Sequence, residues 1–416
     1  MARSERDIMR KLIVSLVVVA VLVFAGWMAL PWAFRAPRRE PPVPSDRTLQ
    51  AVIPGIPDCR YFVAEDIQPF VGVVLEARER EQAFLAKSGH TGELPPVALL
   101  AVSGGGDKGA FGAGFLNGWT AQGTRPVFKA VTGVSTGALI APFAFLGPEY
   151  DKVLKTVYTA VKPADIASRR WFLAAVTNDG IADNRPLWGL ISRYIDEALL
   201  ARIAEEDAKG RLLLIGTTDL DARQPVIWNM GKIAASRSPN ALPLFRSILL
   251  ASAAIPGAFP PSMIPVEVDG RKYEEMHVDG GASSQVFLYP PSLPKAMAEA
   301  GVRVTRGGAV YVLRNSVLTA TWADVERRTI SIAGRAIDSL IHTQGIGDLY
   351  RIYVTTQRDG FDFNLVYIGS DFKYDNKKEE FETPFMVSLY DYGFRMGQQQ
   401  DPWKKTPPGF DTPLGR

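Results

Sequence analysis

The chain has 416 residues, with 47 Lys and Arg against 44 Asp and Glu, a formal charge of +3 and a single cysteine. A balance so near neutrality, without a basic stripe interleaved with aromatics, argues against a nucleic-acid partner, and one cysteine excludes an intramolecular disulfide. The length allows one large core with short flanking segments.

Residues 1–11 form a short amino-terminal segment that carries Arg3, Arg6, Arg10 and Lys11. Leu12 to Phe34 follows with no charged residue over 23 positions. At ~1.5 Å per helical residue that run is long enough to cross a hydrocarbon core of about 30 Å. It exceeds a usual signal core and lacks a small-residue cleavage pattern, so residues 12–34 are expected to be an uncleaved transmembrane signal anchor. The alternative is secretion after signal cleavage. Arg35, Arg38 and Arg39 flank the far end, so the positive-inside rule does not orient the segment. Export of the carboxyl part is expected. Cys59 lies well beyond the apolar run, which disfavours a lipoprotein.

Residues 35–95 read as a linker and helical lead-in. The stretch 35–50 is rich in Pro and Arg and has the composition of an extended tether. Residues 63–87 are charged and helical in pattern.

Val97 to Val102 is a continuous apolar run of strand length, as in a parallel sheet covered on both faces. It ends in Ser103-Gly104-Gly105-Gly106-Asp107-Lys108-Gly109, and a helical stretch follows from Ala110 to about Gln122. Gly104, Gly106 and Gly109 fit a dinucleotide-binding spacing, but no Asp or Glu occurs from Lys108 to Pro148 to hold a ribose. A P-loop fails because Gly109 stands where Ser or Thr is needed. Two readings stay open: a tight glycine turn without a ligand, and an oxyanion hole in which successive backbone N–H groups converge on a carbonyl oxygen.

Phe128 to Val131 leads into Gly133-Val134-Ser135-Thr136-Gly137, and Ala138 to Leu146 reads as helix. A serine between glycines at a strand-to-helix turn is lifted clear of the sheet, and the free N–H groups of the helix face it. Short glycine-serine strings also occur in ordinary turns. Asp183-Asn184-Arg185-Pro186 reads as a helix start, with Leu187, Leu190, Ile191, Tyr194, Ile195, Ala198 and Leu199 on one face. Leu212 to Thr218 and Val310 to Leu313 read as strands, and Trp322 to about Gln344 as helix.

A serine nucleophile needs a base. His90 lies in a polar loop, and His342 lies on an amphipathic helical pattern. His277 precedes Asp279 by two and so faces the same way in a strand, which makes it a competitor. Asp279 closes a strand-like segment before Gly280-Gly281; partial burial would raise its pKa from about 3.9 toward the working range of a base. Asp-Gly also starts ordinary turns. No His or Cys pair has metal-ligand spacing, so no metal or other cofactor is expected.

Gly104-Gly105-Gly106-Asp107-Lys108-Gly109, Gly133-Val134-Ser135-Thr136-Gly137 and Asp279-Gly280-Gly281 together resemble the three ordered signatures of patatin-like phospholipases. Ala251-Ser252-Ala253-Ala254-Ile255-Pro256-Gly257-Ala258-Phe259-Pro260-Pro261 resembles the small-residue stretch that precedes the family's aspartate. The resemblance is clear over about residues 96–300. Ser103 departs from relatives that carry Asp before the glycines. The resemblance implies an α/β three-layer sandwich with a central mostly parallel sheet. It implies a Ser135–Asp279 dyad without histidine, with an oxyanion hole from Gly104, Gly105 and Gly106. Lys108, Gly109, Gly133, Gly137, Gly280 and Gly281 carry over as motif-supporting positions. The implied activity is lipid acyl hydrolysis of the phospholipase A or lysophospholipase type through an acyl-enzyme. The alternatives are a Ser-His-Asp esterase using His342 and a catalytically silent membrane-tethered scaffold. The hydrolase domain is expected over residues 96–400 and a tail over 401–416. The expected partners are a lipid or acyl-ester substrate and a membrane, in a bacterial inner-membrane setting.

Overall fold

A computed structural model describes residues 40–169, 179–302, 306–375 and 377–410, together with Val18 and Val21. In chain order, β1 (Arg60–Tyr61), α1 (Gln68–Lys87), β2 (Val97–Val102), α2 (Gly109–Gln122), β3 (Ala130–Val134) and α3 (Thr136–Leu146) come first. They are followed by α4 (Asp151–Thr159), α5 (Pro163–Ile166), β4 (Ser168–Arg169), β5 (Ala182–Asp183), α6 (Arg185–Tyr194) and α7 (Glu197–Ala208). Then come β6 (Leu212–Asp219), β7 (Gln224–Asn229), α8 (Met230–Ala235), α9 (Ala241–Ser252), β8 (Ser262–Val268) and β9 (Arg271–Asp279). The last are α10 (Leu293–Glu299), β10 (Gly308–Arg314), α11 (Thr329–Arg358), β11 (Asp362–Tyr367) and α12 (Thr383–Gly397).

The main sheet runs β1-β7-β6-β3-β2-β10-β11, with β6, β3, β2, β10 and β11 parallel. Successive side chains leave a strand on opposite faces. Thus Leu213 and Ile215 of β6, with Leu100 and Val102 of β2, join a core under α2, α3, α9 and α12. Leu212 and Leu214 instead meet α1 and α10, and Ala101, Val310 and Val312 meet α11. Helices therefore flank both faces of a central, mostly parallel sheet, which explains why these strands read as unbroken apolar runs.

Four segments differ from their sequence reading. The linker is shorter than composition implies, because residues 40–61 pack on the domain. Glu274 N–H donates to Pro41 O at 3.0 Å, Val52 bridges Glu267, β1 pairs with β7, and Ile53, Ile56 and Cys59 are buried. These apolar contacts are too short and irregular to show a period. The stripe from Leu187 to Leu199 belongs to two helices: α6 ends at Tyr194, and Asp196 caps α7 by accepting from Leu199 N–H at 2.9 Å. The helix read from Trp322 to Gln344 begins only at Thr329 and runs on to Arg358. The stretch read as a tail returns to the sheet, where Lys404 bridges Leu365 and Trp403 lies 4.8 Å from the Trp119 ring.

The expected membrane segment 12–34 lies outside the described residues apart from Val18 and Val21. Among the described residues, no helix is long and apolar enough to cross a membrane.

Candidate active site

The register of β6 brings two distant segments together. On one flank β6 pairs with β7 from Leu214 to Asp219. On the other, β3 pairs only with the first part of β6, ending at Val134 opposite Gly216. β9 then occupies the rest of that flank from the opposite direction, with Asp279 opposite Thr217 and His277 opposite Asp219. The carboxyl ends of β3 and β9 thus meet at adjacent positions of β6. Ser135 follows one end and Asp279 forms the other.

Ser135 adopts φ 56 and ψ −127, a left-handed backbone that costs a non-glycine residue about 1–3 kcal/mol. The surroundings hold it there. Its N–H donates to Ser252 Oγ at 3.0 Å, and that hydroxyl donates to Gly216 O at 2.7 Å. The flanking glycines serve close approach rather than unusual φ. A Cβ on Gly133 would collide with Gly137 O, and one on Gly137 with Val102 O. Strand, turn and helix can therefore stack backbone on backbone only without side chains there.

The Asp279 carboxylate is buried and accepts from Gly281 N–H at 2.7 Å. Burial pushes its pKa up to about 7, against the opposing pull of the Ser135 hydroxyl and the Gly281 N–H, which favour the charged form. Its own N–H donates to Ala254 O at 2.9 Å. The small-residue stretch thus supports both halves of the pair: Ser252 holds Ser135, and Ala254 holds Asp279. Ala251, Ser252 and Ala254 are all buried there.

The glycine loop lies against Ser135, since a Cβ on Gly104 would stand 3.2 Å from Ser135 Cβ. One expectation changes. The Gly104 N–H already donates to Gln285 O at 3.0 Å, so it is not a free oxyanion donor. Among the described residues, the N–H groups of Gly105 and Gly106 donate to no other group. Lys108 precedes α2, half-buried, and its N–H donates to Gly105 O at 3.1 Å. Gly109 packs on Thr136, and Gly280 on Gly216 O and Val134. Gly281 faces Gln285 Nε2. Asp107 is buried and anchored by Lys377 Nζ at 2.7 Å and by Phe381 N–H at 3.1 Å.

The histidines lie elsewhere in function. His90 Nε2 contacts Glu93 O at 2.9 Å in an exposed loop. His342 sits on α11, where partial burial, Arg314 and Lys108 hold it below the ordinary histidine range. His277 faces the same way as Asp279, as the strand period requires, but both ring nitrogens are engaged: Nδ1 with Thr217 Oγ1 at 3.0 Å and Nε2 with Glu275 Oε2 at 3.2 Å. Asp219, Glu275 and His277 bring ligand atoms within 4.8 Å of one another. Arg60 forms a buried ion pair with Glu275, so a cationic side chain already serves that cluster.

Three residues at the site carried no sequence signal as members of it: Gln285, Asn315 and Asp348. They are single polar residues in otherwise unremarkable segments, and only tertiary contacts reveal them.

Residues 100–290 match the family described as patatin-like phospholipase. No curated protein matches the chain. Among solved structures, the crystal structure of VipD from Legionella pneumophila is similar, at 12% identity and a TM-score of 0.36 over 73% of this chain and 67% of that one. The match of this segment supports lipid acyl hydrolase activity in general. The glycine loop, the serine turn and the Asp-Gly-Gly turn all fall, in order, within the matched span, and residues 100–290 carry a patatin-like phospholipase domain.

Proposed function

We propose that this chain hydrolyses lipid acyl esters of the phospholipase A or lysophospholipase type, with Ser135 as nucleophile and Asp279 as base. The observation that carries the reading is a strained serine beside a carboxylate that burial raises to about 7. Such a carboxylate is ionised in part at neutral pH and basic enough to accept a hydroxyl proton. The Ser135 oxygen attacks the ester carbonyl while Asp279 takes its proton. The N–H groups of Gly105 and Gly106, with the first turn of α3, face the charge that develops on the carbonyl oxygen. As the intermediate collapses, Asp279 returns the proton to the departing alcohol and leaves an acyl-enzyme. A water then gives its proton to Asp279 and attacks the acyl carbon. Asp279 passes the proton to the Ser135 oxygen, releasing the fatty acid.

The uncharged run 12–34 supports a tether to a membrane, in a bacterial inner-membrane setting with the hydrolase domain exported. Such a tether would hold the hydrolase domain at the membrane that carries its lipid.

Ser135→Ala and Asp279→Asn test the chemistry. Both should abolish hydrolysis of a p-nitrophenyl acyl ester, and Ser135→Ala should abolish labelling by a fluorophosphonate. Retention of more than a few per cent of the rate in folded Ser135→Ala would overturn the nucleophile assignment.

A further inference from the structure

Three successive glycines form a loop with no side chains of its own to set its shape, yet an oxyanion hole works only if its N–H groups already point at the developing charge. The loop is instead held by its carbonyls. A trans peptide is planar, so the C=O of one residue and the N–H of the next point in opposite directions within one plane. Fixing the Gly104 carbonyl therefore aims the Gly105 N–H.

Ser103 and Asn315 are buried, at 1% and 0% exposure. Ser103 Oγ donates to Gly104 O at 2.7 Å. Asn315 N–H donates to the same Ser103 oxygen at 2.8 Å, which leaves the hydroxyl proton for Gly104. Asn315 Nδ2 donates to Ser103 O at 2.9 Å, and Asn315 Oδ1 accepts from Gly112 N–H of α2 at 3.0 Å. The Asn315 carbonyl lies against Gly105, where a Cβ would collide with it. On the opposite side, Gln285 O receives the Gly104 N–H while Gln285 N–H donates to the buried Asp348 carboxylate at 2.7 Å. Every peptide plane from Ser103 to Gly105 is thus fixed, and among the described residues the Gly105 N–H is left as a free donor beside that of Gly106.

We infer that Ser103 and Asn315 are positioning residues that aim the Gly105 N–H at the ester oxygen. Asn315 lies beyond the matched span 100–290 and joins the carboxyl-terminal third of the chain to the chemistry. The inference rests on the proposed Ser135 reading. It also gives the departure at Ser103 a role: the residue orients the loop through a hydroxyl.

The test uses the full chain, a p-nitrophenyl ester and a trifluoromethyl ketone, which forms an oxyanion adduct with a reactive serine. Complete loss of an oxyanion donor costs about 10²–10³ in rate, so a misaimed donor in Ser103→Ala or Asn315→Ala should cost about tenfold or more in kcat. KM should change less than about twofold, and ketone affinity should fall in step with kcat/KM. Asn364→Ala, a buried polar site that bonds Val310 O away from the loop, should lower stability and leave both readouts unchanged per folded molecule. If Ser135→Ala is inert but Ser103→Ala and Asn315→Ala keep kcat and ketone affinity, the positioning role is wrong and the hydrolase reading stands. If Ser135→Ala stays active, the hydrolase reading itself fails. Should either loop variant not fold, a crystal structure of the phosphonylated native protein decides. The phosphoryl oxygen must lie within hydrogen-bond reach of the Gly105 N–H, and an oxygen directed elsewhere overturns the inference.

Discussion

Asp279→Asn separates two effects of one buried carboxylate. Burial raises the group from its ordinary 3.8 to about 7. The folded protein therefore binds this proton more tightly than the unfolded chain does. The associated stability is fully present below 3.8 and is lost as pH rises toward 7. At ~1.36 kcal/mol per pH unit, that interval is worth about 4 kcal/mol at most. Asp279→Asn keeps an oxygen for the Gly281 N–H and carries no charge. Its stability relative to the native protein should therefore rise from about pH 4 to about pH 7 and level off above, as read by urea unfolding at several pH values. Activity runs the other way. With a pKa of about 7, roughly a tenth of the carboxylate is ionised at pH 6 and nine tenths at pH 8, so native kcat/KM should rise about tenfold over that interval. The variant should lose several orders of magnitude in kcat. A native pH–rate profile that is flat between those values, together with a variant that is less stable at about pH 8, would refute the argument that a desolvated Asp279 is the base.

Ser135→Gly should be more stable than Ser135→Ala by about 1 kcal/mol, because glycine adopts φ 56 without strain; equal melting temperatures would remove the strain argument. Gly105→Ala should lower kcat more than Gly106→Ala does, because the first Cβ meets the Asn315 carbonyl and the second enters open space; the reverse order in steady-state kinetics would exclude Gly105 as the donor. His277→Ala should cost about 1–3 kcal/mol by removing one hydrogen-bond partner from each of Thr217 and Glu275, which keep Trp228 and Arg60, while kcat per folded molecule is preserved; loss of turnover in folded His277→Ala would reinstate it as the base. His342→Ala should be nearly silent, and a loss equal to that of Asp279→Asn would favour a triad. The full chain should resist carbonate extraction from membranes, whereas a form starting at Glu40 should be extracted and still cleave small esters; extraction of both forms alike would show that residues 12–34 do not anchor.

Local chemistry made much of this protein legible from sequence. Val97 to Val102 and Leu212 to Thr218 are apolar on both faces because helices cover both faces of a parallel sheet, and that coverage leaves its mark in composition. The glycines around Ser135 and Asp279 are visible because backbone packs on backbone there and tolerates no side chain. Only the motif favours Asp279 over His277, since the strand period places both on the same face. What the sequence could not convey is the pairing on β6. β3 stops at Gly216 and β9 enters at Thr217, so residues separated by more than a hundred positions become end-to-end neighbours, and a register is a relation between segments. The same holds for the Gly104 N–H, which Gln285 removes from the oxyanion hole, and for Ser103 and Asn315, whose bonds are set across two strands of the sheet. Propensity and motif act within a few residues and can be read along the chain. The aim of a hydrogen bond and the burial that lifts a carboxylate toward neutrality depend on what the rest of the fold brings alongside, and only the tertiary structure decides them.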